Sequence, residues 1–82
     1  MSARFNHGEA SHRYFTSLAA RIANARREVG FTQTEMADIV GTSLSTYRKI
    51  EGGDSSVAAE TLWRVITVLK SSVNKDLLVD LD

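Results

Sequence analysis

Apolar residues along this chain recur at intervals of three and four, broken at a few glycines and polar clusters, and the pattern predicts helices throughout. From Ser11 to Val29 the positions Phe15, Leu18, Ala19, Ile22, Ala25 and Val29 form one helical stripe, closed by Gly30. Gln33 to Val40 places Met36, Ala37 and Val40 on one face. Gly41 breaks that pattern, and a further short helix from Ser43 to Glu51 turns Tyr47 and Ile50 inward. From Ala58 to Lys70, Leu62, Val65, Ile66 and Leu69 make another stripe, widened by Trp63 and Val68. A break at Ser71 to Asn74 precedes a last short helix with Leu77, Leu78, Val79 and Leu81. Residues 1–10 show no apolar period and read as a flexible arm, leaving 11–82 as one all-α domain.

The boundaries carry their own signals. Thr32 can cap the second helix while Glu35, three residues on, reaches back in a capping box, and Phe31 precedes the cap where a hydrophobic staple sits. Gly41 can take the positive φ of a tight turn, and Ser43 can cap the helix that follows. Two short helices joined by a turn of this kind outline a helix-turn-helix spanning Thr32 to Gly52, with Leu44, Ser45, Arg48 and Lys49 on the outward face of its second helix.

Composition narrows the function. Eighty-two residues, 43% of them hydrophobic, suffice for one modest core. The chain has no cysteine, hence no disulfide or thiolate metal site, and its two histidines, His7 and His12, read as solvated. It lacks a glycine-rich phosphate loop and a Ser, His and acid grouping, so an enzyme is not expected, and neither is a cofactor. With no membrane-length apolar run and no apolar leader segment, a cytoplasmic place on the nucleoid is expected. Ten basic residues balance ten acidic ones. Residues 1–53 carry seven basic and five acidic groups, a net of +2, and 54–82 carry three and five, a net of −2. The basic end holds the helix-turn-helix, which suits DNA there, and the even total predicts modest affinity for DNA of arbitrary sequence.

The run TQTEMADIVGTSLSTYRKIEGG, with the arginine-bearing helix before it and ETLWRVITVL after it, resembles the Xre/Cro-type helix-turn-helix proteins, which include the phage repressors. The resemblance covers about residues 13–70 and implies a five-helix bundle of the lambda-repressor type. It implies a homodimer that sets the third helix of each subunit in the major groove of double-stranded DNA, on pseudo-palindromic half-sites about 34–36 Å apart. Carried over position by position, Leu44, Ser45 and Lys49 meet base edges, while Gln33, Ser43, Thr46 and Arg48 face phosphates or neighbouring bases. Lysine can donate to guanine and leucine can touch a thymine methyl. Leu44 stands where many members have a polar residue. Tyr47 replaces a common isoleucine or valine, which makes its hydroxyl a further candidate for a phosphate. The expected function is a dimeric repressor. A finer likeness, in the Gly-Gly-Asp-Ser-Ser loop and the closing Asp-Leu-Leu, is to antitoxins of the HipB type, which implies as an alternative that the chain neutralises a toxin and regulates its own operon. Trp63, Leu77, Leu78 and Leu81 are the expected dimerisation residues; the alternative for Trp63 is that it only caps the core beside the first helix.

Overall fold

The stripe-bearing segments fold as four helices in the computed structural model, which describes residues 7–73: α1 His7–Val29, α2 Gln33–Val40, α3 Leu44–Glu51 and α4 Ala59–Val73. α1 packs on α4 and α3, and α2 packs on α3 and α4, so the core lies where all four meet. Leu18, Ile22 and Ala25 enter it from α1, Met36, Ala37 and Val40 from α2, Tyr47 and Ile50 from α3, and Val65, Ile66 and Leu69 from α4. These are the positions the three-and-four spacing selects. Each fully buried large side chain contributes roughly 1.5–3 kcal/mol. Phe31 packs against this cluster from the loop before α2, as a staple residue does.

Both predicted caps form. The Thr32 hydroxyl accepts from the Glu35 amide at 3.0 Å while the Glu35 carboxylate accepts from the Thr32 amide at 2.8 Å. The Ser43 hydroxyl accepts from the Thr46 amide at 3.0 Å and starts α3. Between them Gly41 adopts φ 76°, ψ 39°, a left-handed conformation costly for any residue with a Cβ, and the Thr42 amide reaches back to the Ala37 carbonyl at 2.9 Å. The turn therefore needs only Gly41, Thr42 and Ser43 to redirect the chain from α2 to α3.

Two expectations need correction. α1 begins at His7 rather than Ser11, so residues 7–10 belong to a helix and not to an arm. A helix nucleated by the Leu18–Val29 stripe extends at little cost through a segment without proline. α4 does not break at Ser71; it continues to Val73, and the Ser72 hydroxyl donates to the Val68 carbonyl one turn back at 2.9 Å, a bond that lets serine sit inside a helix. Four helices lie among the described residues; the segment expected to form a fifth, with Leu77, Leu78 and Leu81, lies outside them.

Candidate nucleic-acid interface

α3 is eight residues long, and its inward and outward faces separate sharply. Tyr47 and Ile50 are buried in the core, while Ser45, Arg48 and Lys49 are exposed and lie at i, i+3 and i+4, side by side on the opposite face. This face offers one hydroxyl, one guanidinium and one ammonium, a set able to donate to guanine or to phosphate. Leu44 and Thr46 are half-buried at the helix start. Ser43 is exposed, but its hydroxyl accepts from the Thr46 amide and donates to the Thr46 hydroxyl at 3.0 Å, so it acts first as a cap.

Tyr47 departs from its expected place. Its side chain is fully buried and its hydroxyl donates to the Glu51 carboxylate, so the phenol is not available to a phosphate. Burial, and then the bond to Glu51, push its pKa well above the ordinary tyrosine value and keep it protonated. Gln33 is half-buried and also turned inward, its amide nitrogen 3.0 Å from the Glu51 Oε1.

Glu51 collects a third partner. The Arg26 Nε donates to Oε2 at 2.6 Å and Nη2 donates to Oε1 at 3.2 Å, while Nη1 donates to the Phe31 carbonyl at 2.8 Å. The pair is nearly enclosed, with side-chain exposures of 11% for Arg26 and 7% for Glu51. Burial by itself would raise the Glu51 pKa, but the hydrogen bonds from Arg26, Tyr47 and Gln33 outweigh it and hold the carboxylate below its usual range. The bond to Glu51 likewise raises Arg26 above its ordinary value. No polar side-chain atom buried among the described residues lacks a partner.

The role of Arg26 and Glu51 was missed in the sequence, although it left a trace. Arg26 stands four residues after Ile22 and eight after Leu18, on the buried face of α1, and Glu51 follows Tyr47 by four. A charge on an apolar stripe calls for an opposite charge across the core.

Trp63 lies elsewhere, on the outer side of α4 and 57% exposed. With Ile39, Val40, Arg64, Thr67 and Val68 it lines an open groove of about 200 Å³ between α2 and α4. It does not cover the core.

A three-residue turn, two capped short helices and a cationic outward face define a helix-turn-helix DNA-binding unit. The profile of the family described as Helix-turn-helix matches residues 22–75, and the chain belongs to that family, as a DNA-binding protein of the Xre type. This is a family of DNA-binding regulators rather than of enzymes. The chain is also similar to the cryptic phage CTXphi transcriptional repressor RstR of Vibrio cholerae serotype O1 (strain ATCC 39315 / El Tor Inaba N16961), 36% identical over 58 residues. That alignment takes in 71% of this chain and 52% of the relative, so the chain spans about half the length of the curated relative it matches. No solved structure matches it.

Proposed function

We propose that this protein is a sequence-specific transcriptional repressor that binds double-stranded DNA as a homodimer, with α3 of each subunit in the major groove of one half of a pseudo-palindromic operator. The observation that carries this reading is the exposed triad of Ser45, Arg48 and Lys49 on a helix whose start, seat and preceding turn are all rigidly specified. Arg48 and Lys49 supply charge, Ser45 and Lys49 supply base-edge hydrogen bonds, and Leu44 supplies apolar contact at the helix start. Ser43 caps α3, bonded to Thr46, beside the phosphate backbone, and Gln33 approaches it from the first turn of α2. The repressor named among its relatives supports the sign of regulation.

A second copy follows from the size of the reading surface. Three exposed side chains on an eight-residue helix can discriminate only a few base pairs, and pairing two such helices doubles the site read. The apolar groove around Trp63 and Ile39 is the surface that supports such pairing, since both side chains are about half exposed, at 57% and 49%. Selection of duplexes from a random-sequence pool tests the whole reading. A recovered inverted repeat, bound by two chains, supports it, whereas no enrichment over the starting pool contradicts it. Light scattering on the free protein separates the occupants of the groove: a dimer favours the second copy, and a monomer that associates only with a toxin encoded beside it favours the antitoxin reading.

A further inference from the structure

We propose that Glu51 is a positioning residue for DNA recognition, which sets the Gln33 amide and the seat of the reading helix without touching DNA; this rests on the DNA-binding reading above. A carboxylate only accepts hydrogen bonds and offers about four lone-pair directions. All are taken here. Oε2 accepts from the Arg26 Nε and the Tyr47 hydroxyl, and Oε1 accepts from the Arg26 Nη2 and the Gln33 Nε2. The donors come from α1, α2 and α3, so one side chain at the end of α3 ties three helices together at the edge of the candidate interface.

The consequence for Gln33 is directional. An amide can ordinarily face either way, but an acceptor-only partner admits only the nitrogen, so the NH2 group turns inward and the carbonyl oxygen and the second N–H are left at the surface. Gln33 is the first residue of α2, where the helix dipole and first-turn amides favour an anion. Glu51 thus holds a fixed donor at that end of α2 while Tyr47, on the same carboxylate, anchors the helix that carries Ser45, Arg48 and Lys49. Tyr47 acts on DNA through Glu51 and Gln33, a role the direct phosphate contact expected of it would not have required.

The test is a double-mutant cycle of Tyr47→Phe and Gln33→Ala. It reads the ratio of affinities for a duplex selected by the wild-type protein and for a scrambled duplex, with thermal melting in parallel. Tyr47→Phe keeps the buried ring and removes only the donor. The expected result is a loss of discrimination of about 3- to 10-fold in the wild-type background and less than about 2-fold in the Gln33→Ala background, because the two act in series. Effects that multiply independently, or a Tyr47→Phe protein that melts lower yet discriminates as well as wild type, overturn the proposal and leave the DNA-binding reading intact. A wild-type protein that does not discriminate at all overturns both. Hydrogen exchange of the Gln33 side-chain amide in the free wild-type protein decides the matter even where Tyr47→Phe does not fold: one protected proton of the pair is expected, and two equally fast ones contradict it.

Discussion

The Tyr47 hydroxyl donates to the carboxylate of Glu51 one turn further along α3, and the same carboxylate faces Arg26 of α1 at 2.6 Å. A bulky phenol at a core position of the second helix of the helix-turn-helix thereby becomes part of an enclosed polar network. Its ring fills the core while its oxygen joins an ion pair that crosses between helices 25 residues apart in sequence.

Removing Arg26 leaves the nearly enclosed Glu51 carboxylate without its charged partner, with only Tyr47 and Gln33 still donating to it. Arg26→Ala is expected to lower the unfolding free energy by about 3–5 kcal/mol, a large part of what a small domain possesses. Urea titration followed by circular dichroism measures it. Replacing the network together, as Arg26→Met, Glu51→Leu and Tyr47→Phe, should recover most of that loss, since well-packed apolar groups need no partner.

Acid should loosen the fold through the same carboxylate. Glu51 has a depressed pKa in the folded state, so its contribution to stability is fully present above the ordinary glutamate value of about 4.3 and is lost as pH falls through the depressed one. In that window the unfolded chain binds the extra proton, and stability rises with pH. Melting temperatures recorded from pH 7 down to pH 3 should fall below about pH 4.3 in the wild type. In Glu51→Gln the fall should be shallower.

The turn between the two helices offers a cleaner test of backbone cost. Gly41 sits at φ 76° with open space where a Cβ would stand, so Gly41→Ala meets no clash and isolates the penalty of the left-handed conformation, about 1 kcal/mol. Thr32→Ala removes the capping hydroxyl at the other end of α2 and should cost a similar amount, about 1 kcal/mol. Thr32 bonds Glu35, and Gly41 bonds Ala37 and Asp38, with no partner in common, so the losses measured by chemical denaturation should add to within about 0.5 kcal/mol.

Trp63 should behave as a surface residue of the isolated subunit. Trp63→Ser is expected to change its stability by no more than about 0.5 kcal/mol while weakening association of two copies. It is the chain's one tryptophan, so wild-type emission should shift to the blue as concentration rises. Emission independent of concentration argues that no second copy covers this groove.

Much of this architecture is legible in the chain because local chemistry and periodicity agree. The Leu18, Ile22, Ala25 spacing, the Thr32–Glu35 box and the Gly41 turn each specify a piece without help from distant residues, and each forms. What is not legible depends on long-range pairing. Arg26 reads as a helix-end cation suited to the dipole, and only the approach of α3 reveals its partner. The resemblance makes Tyr47 and Gln33 candidates for DNA contact, yet a neighbouring carboxylate turns both inward. Helix ends are the other feature the sequence leaves open, since neither the start at His7 nor the continuation through Ser71 is marked by a strong start or stop residue.

The central claim, that the outward face of α3 reads DNA, is tested most directly by titrating the selected and scrambled duplexes with wild-type, Arg48→Ala and Lys49→Ala proteins across a range of salt. Arg48→Ala should weaken both duplexes alike and flatten the salt slope by about one unit. Lys49→Ala should lose about 1–3 kcal/mol on the selected duplex and discriminate less. Wild-type affinity and discrimination retained in both variants would contradict the assignment of α3 as the reader.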